Sequence, residues 1–194
     1  MSTNTPGLMT RFSKFLYKKS NWKMGLIATA LFSGYLAFLS TVGKSFEVSG
    51  SAVKSLGTTL SFGVKEVTEF FTERSDQMIS SYITFNQVWD FIFAIIYGFM
   101  YIIWLSVIFK PYSQKFWLVN LLPFGQVIFD WIENFSLASL SKAYLVDESI
   151  STSKVMIASL ASSIKWGISL LVYSVIIYGI VLRLARVITN KRKK

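Results

Sequence analysis

The sequence predicts an all-α fold: a polytopic membrane protein with four transmembrane helices plus amphipathic surface helices. Three observations carry that prediction. The 194 residues are 53% hydrophobic, with a mean hydropathy of +0.49. Charged residues make up only 15% of the chain, against about 25% in an ordinary soluble domain. The charges are also segregated, so that apolar stretches alternate with short basic segments, which marks membrane spans rather than one soluble core.

Composition removes several chemistries. The chain has no cysteine and no histidine. A disulfide framework, a thiol nucleophile, the usual zinc sites and a Ser-His-Asp triad are therefore excluded. No metal and no cofactor is expected. The net charge is +10 and the pI is near 9.8. In a soluble protein that excess would point to nucleic acid. Here its placement around the spans accounts for it, and no nucleic-acid partner is expected.

Residues 1–23 hold Arg11, Lys14, Lys18, Lys19 and Lys23 and no acid, with Leu8, Phe12, Phe15 and Leu16 at helical spacing among them. This segment reads as a basic amphipathic helix on a membrane surface. A mitochondrial presequence would share these features, whereas a secretory signal would need a shorter apolar run and a cleavage site. One domain of four spans follows over residues 24–187, and 188–194 form a basic tail. The first span, about Met24 to Val42, is uncharged. Its Gly25, Ala28, Ser33, Gly34 and Ala37 offer small faces for helix packing.

Between residues 48 and 82, Val53, Leu56, Leu60, Val64, Val67, Phe71 and Met78 recur at steps of three and four. That spacing predicts an outer amphipathic helix, weakened and bent at Gly57 and Gly63. It is too polar to span, and it reads as a surface or partner-contact element. The second span covers about Phe85 to Phe109 and stops at Lys110-Pro111. The third covers about Phe116 to Leu140, with Pro123 inside it as an expected kink. A loop from Ser141 to Lys154 leads to the fourth span, about Val155 to Val181.

Orientation follows from Lys and Arg. The amino-terminal segment, Lys110, Lys115, Arg183, Arg186 and residues 191–194 place thirteen on one side, with no Asp or Glu. The other side has six (Lys44, Lys54, Lys65, Arg74, Lys142 and Lys154), accompanied by seven acids. The positive-inside rule puts both termini in the cytoplasm of a cytoplasmic membrane, or in the matrix if the membrane is the mitochondrial inner one. The basic side should also attract anionic lipid headgroups.

Four ionisable residues remain, all inside spans: Asp90, Asp130, Glu133 and Lys165. Each costs roughly 2.5–3.5 kcal/mol or more if it faces lipid at mid-bilayer, so each should face the bundle interior. At about 1.5 Å per residue, all four fall roughly 9–15 Å below the outer ends of their spans. Gln126, Asp130, Glu133 and Asn134 form one stripe, Asn86, Asp90, Tyr97 and Tyr101 a second, and Ser162, Lys165 and Ser169 a third. Three polar stripes at a shared depth predict one site. Its candidate ligand- or ion-binding residues are Asp90, Tyr97, Asp130, Glu133, Asn134 and Lys165. Three carboxyls against one ammonium leave an acid excess. A protonated carboxyl, a bound cation or access to water would relieve it.

The run Leu122-Pro123, Asp130-Trp131-Ile132-Glu133-Asn134 and Ser162-Ser163-Ile164-Lys165, with Asp90 one span earlier, resembles small uncharacterised four-span membrane proteins of prokaryotes. The resemblance covers about residues 85–185 and implies the four-span fold with an intramembrane D-x-x-E-N motif, but no particular activity. A fainter likeness is to four-span sterol-isomerase-like proteins, from which the missing histidine and the long first outer loop depart.

Three functional classes fit. One is a binding or transport-type protein whose cluster takes a proton, a cation or a lipid headgroup. Another is an accessory subunit of a larger membrane complex, touching partners through the outer helix and the small faces of the first span. The last is a membrane enzyme using a carboxyl on a lipid-like substrate, for which no residue identifies a reaction. Membrane lipids are expected partners, together with a membrane-protein complex or a second copy of the chain.

Overall fold

The computed structural model describes residues 7–51 and 55–191, and every regular element among them is helical. Of the expected features, residues 1–6 of the basic segment, Val53 and Lys54 of the outer helix, and tail residues 192–194 lie outside the described residues. Helix α1, Leu8–Lys19, forms in the basic segment where the spacing predicts a helix. Its apolar Leu8, Met9, Phe12 and Phe15 are exposed, and it buries a hydroxylic face of Ser13 and Tyr17.

Helix α2, Trp22–Gly43, starts where the Asn21 side chain accepts a hydrogen bond from the Met24 N–H at 3.1 Å, an N-cap. Two helices follow, in keeping with a bent outer element in two pieces, but the break is not at Gly57 or Gly63. They are α3, Val64–Thr72, and α4, Asp76–Thr84, with the break at Glu73–Ser75. Ser75 caps α4, and the Glu66 carboxylate accepts from the Gly63 N–H at 2.8 Å to close the first turn of α3. Its own N–H, and next the Gly63 N–H, hold the Glu66 carboxyl below its usual range. Residues 55–63 are not helical apart from one 3₁₀ turn, Leu56–Thr58. Two glycines and four hydroxyl residues among them compete with helix formation.

Part of the expected apolar face is turned inward, whereas its Leu60 and Val64 are exposed. Leu56, Val67, Phe70, Phe71, Ile79 and Tyr82 are buried, and they pack with Phe46, Leu137, Leu140, Val155 and Ala158 into a cap over one end of the bundle.

Helix α4 runs on through a π-helical turn, Phe85–Asp90, into α5, Phe91–Phe109. Pro111 ends that run, as expected. The third expected span begins later than its sequence suggests. Residues 113–121 are turns, and α6 spans Leu122–Asp147. Pro123 therefore sits in the first turn of α6, where its missing N–H breaks no bond, and it produces no interior kink. Glu148 in the left-handed conformation (φ 54°) closes α6. Helix α7, Thr152–Lys191, is longer than predicted and carries Arg183 and Arg186 within it.

Among the described residues, three helical runs are long and apolar enough to cross a membrane: Trp22–Phe46, Asp76–Tyr112 and Thr152–Asn190. Side-chain pairings fix their directions. Trp104 donates to Thr29 and Tyr35 donates to the Trp89 carbonyl, so α2 and α5 are antiparallel. Tyr101 meets Tyr173, and Arg183 donates to the Val107 and Ile108 carbonyls, so α5 and α7 are parallel. Helix α6 runs against both, with Leu137 and Leu140 beside Val155 and Ala158, and Gly125 beside Ile168.

Close packing depends on particular glycines. A Cβ at Gly179 would lie 2.4 Å from Ile108 Cγ2 and 2.6 Å from the Phe109 ring, whereas one at Gly167 would meet nothing within 4 Å. Gly179→Ala should therefore destabilise the bundle by about 1–3 kcal/mol. Gly167→Ala should be neutral or stabilising by about 0.5–1 kcal/mol. Melting midpoints of the two variants in detergent check this, and equal midpoints would refute the packing assignment.

Candidate functional site

The three polar stripes converge. On α6, Gln126, Asp130, Glu133 and Asn134 are all buried, Glu133 completely. On α7, Ser162, Lys165 and Ser169 are buried opposite them. The Lys165 ammonium lies 3.1 Å from Asp130 Oδ1 and is hydrogen-bonded to Glu133 Oε2. It also donates to the Gly57 carbonyl at 3.0 Å. One ammonium thus satisfies two carboxylates and a backbone carbonyl with its three donors.

That last contact shows what the irregular segment does. Residues 57–62 lie along the hydroxyl face of α7. Ser162 donates to the Thr59 carbonyl at 2.6 Å and Ser163 to the Leu60 carbonyl at 2.9 Å. Ser159 accepts from the Phe62 N–H at 3.0 Å. The segment thus finds side-chain partners for backbone groups that have no helix to satisfy them.

Asp90 is placed differently. It is half-buried at the end of the π-helical turn and, among the described residues, forms no ion pair. It shares a cavity of about 850 Å³ with Asp130 and Lys165. Ser33, Ala37 and Ser40 of α2 form one wall of that cavity, and Phe93, Tyr97 and Tyr101 of α5 another. Trp166, Ser169 and Tyr173 of α7 form a third, Gln126 and Asp130 come from α6, and Ser55, Gly57 and Thr58 close one end. Glu133 and Asn134 do not reach the cavity lining and stand behind it.

The cluster is rich in unpartnered polar atoms. Among the described residues, Tyr97 Oη, Gln126 Oε1, Asp130 Oδ2, Glu133 Oε1 and both polar side-chain atoms of Asn134 are buried without a hydrogen-bond partner. An unsatisfied buried group costs about 1–3 kcal/mol, so a set of them in one place calls for a role. Those of Tyr97, Gln126 and Asp130 belong to residues that line the cavity.

The sequence stripes identify the acids, Lys165 and Tyr97, but not the α2 wall or the Gly57–Thr58 edge. Ser33, Ala37 and Ser40 carry no signal beyond small size. The one clue to the edge is the run Ser159, Ser162 and Ser163, more hydroxyls than a helix packed only on apolar neighbours needs.

Comparison with family models, with curated proteins and with solved structures finds no match to this chain. The site's own geometry therefore carries the functional reading.

Lys165→Met leaves two buried carboxylates without their cation and should cost about 3–5 kcal/mol. Adding Asp130→Asn and Glu133→Gln to that variant should recover most of the loss. Thermal unfolding in detergent of the single and triple variants checks both statements. A single variant as stable as the parent would mean that the ion pairs hold nothing together.

Proposed function

We propose that this chain is a four-span integral membrane protein that binds an amphiphile with a cationic headgroup in the cavity between α2 and α7. On this reading α6 is the fourth crossing. At 26 residues it is about 39 Å long, and it runs against α5 and α7. Its ionisable Asp130 and Glu133 are buried, while Ile128, Ile132 and Phe135 are exposed on the opposite side. That is the distribution expected of a membrane helix with a polar inner face. The Lys and Arg distribution then places both termini in the cytoplasm or matrix.

The observation that carries the ligand class is the cavity lining. Lys165 is already engaged by Asp130 and Glu133. Asp90 and the free Asp130 Oδ2 add negative character beside the rings of Phe93, Tyr97 and Tyr101. Carboxylates with aromatic faces suit an organic ammonium better than an anion. The way in is lateral. Helix α2 packs on α5, and α7 packs on α6 and α5. Leu36, Trp166 and Tyr173 on the cavity rim are exposed. A headgroup lodged at Asp90 can therefore leave its tail among the lipids.

Two experiments test this. Dodecylamine should raise the melting midpoint of the detergent-purified chain, whereas dodecanol and dodecanoate at the same concentration should not. Asp90→Asn should abolish the shift without lowering the ligand-free midpoint. Equal stabilisation by dodecanol would reduce the cavity to an apolar slot. For topology, an impermeant thiol reagent applied outside should label a cysteine placed at position 76 or 148, but not one at 19 or 115. Labelling at 19 would invert the assigned orientation.

A further inference from the structure

A second, basic cavity lies at the opposite end of the bundle. It measures about 600 Å³ and is formed between α1 and the connection from α5 to α6. Lys14 and Lys18 of α1 line it with Lys110, Tyr17 and Trp117, and no acidic residue contributes. We propose that this cavity binds the phosphate of an anionic phospholipid of the inner leaflet, with Lys14, Lys18 and Lys110 as its cationic contacts.

The walls are built rather than incidental. Helix α1 is clamped by a buried polar knot. Ser13 Oγ is hydrogen-bonded to Asn120 Oδ1 at 2.7 Å and to the Trp117 carbonyl. Asn120 Nδ2 donates to the Ser13 carbonyl at 3.2 Å and to Ser106 Oγ at 3.0 Å. Tyr17 adds a hydrogen bond to the Phe116 carbonyl at 2.6 Å. The Lys110 ammonium is held by the Ser20 and Lys18 carbonyls at 3.0 and 3.3 Å. Two of its three donors are thereby used, and one is left for a ligand. An ammonium fixed in this way has lost its rotamer freedom before any anion arrives, so less entropy is lost on binding.

The surroundings point to a lipid rather than to a free ion. Phe12 and Phe15 leave α1 exposed on an apolar side, and Phe12 packs against Phe124 of α6. Acyl chains would find the exposed Phe15 ring, three residues before Lys18 on α1, beside a phosphate held by the lysines. Trp117, 41% exposed on the cavity wall, is the residue type that settles at the level of headgroups. Charge complementarity completes the case, because the segments on this side carry thirteen Lys and Arg and no Asp or Glu. The inference rests on the membrane orientation proposed above and is independent of the ligand at Asp90.

The test uses the full chain in a neutral detergent, titrated with short-chain phosphatidylglycerol, short-chain phosphatidylcholine and inorganic phosphate, with occupancy read by native mass spectrometry. One phosphatidylglycerol should bind per chain in preference to phosphatidylcholine, and inorganic phosphate should not displace it. Lys14→Gln with Lys18→Gln should weaken that binding about tenfold or more. Lys19→Gln with Lys23→Gln removes the same charge from residues that do not line the cavity, and should leave binding within about twofold. Equal loss in both pairs would overturn the site in favour of a diffuse basic surface. Displacement by inorganic phosphate would overturn the lipid assignment. The dodecylamine response through Asp90 should be intact in both pairs, so failure here and failure of the cavity reading remain distinguishable.

Discussion

The contact of the Lys165 ammonium with Asp130, Glu133 and the Gly57 carbonyl is the constraint on which the arrangement turns. Taking these charges out of water is expensive, and their mutual attraction offsets that cost only with good geometry and further hydrogen bonds. Lys165 meets the condition by reaching two different elements from α7. It sets the register of α6 against α7 through the two carboxylates. It also anchors a segment with no regular structure of its own through the Gly57 carbonyl. Residues 57–62 can then lie along α7 because Ser159, Ser162 and Ser163 supply their remaining partners. Non-helical backbone needs partners for its N–H and C=O groups; Phe62 is buried and Gly57 and Thr58 border the cavity, while Thr58, Leu60 and Ser61 stay exposed.

The cavity is a consequence of where the helices are, and are not, allowed to approach. Gly98 against Val127, Gly179 against Ile108 and Phe109, and Gly25 against Trp104 mark the tight crossings. Along α2, the Phe32 and Tyr35 rings stack on Phe93 and hold that helix to α5. No comparable set draws α2 to α7, so Ser33, Ala37 and Ser40 border space instead of another helix. Small residues thus have two opposite uses in one molecule. In a membrane, where no hydrophobic force drives helices together, the difference depends on whether a matching large side chain stands opposite.

The two ends of the bundle are finished by different physics. One end is closed by an apolar cap, in which Phe46, Phe70, Phe71 and Tyr82 pack edge to face or tilted. The other end is tied by polar groups that satisfy backbone carbonyls at helix ends. Arg183 serves Val107 and Ile108, and Lys110 serves Lys18 and Ser20. An aqueous end can support a packed cap by burying rings from water. An end rich in lysine and arginine uses its donors instead on the free carbonyls that helix termini present.

The sequence by itself determined the membrane-type helical class, a helix in the basic amino-terminal segment and the convergence of Asp130, Glu133 and Lys165. Each of these follows from a local pattern. Uncharged runs give the long helices, three- and four-residue spacing gives the faces, and the cost of charge in hydrocarbon turns the ionisable residues inward. Only the tertiary structure decided that residues 57–62 abandon the helical pattern, that α6 begins at Leu122 with Pro123 in its first turn, and that Leu56, Val67 and Phe71 face inward to their own chain. It also decided that Asp90 borders a cavity instead of joining the ion pairs, and that Glu133 and Asn134 stand behind its lining. Spacing reports which residues share a face, but not what stands opposite. The partner of Gly57 lies 108 residues away on α7, and no local propensity encodes a contact of that span.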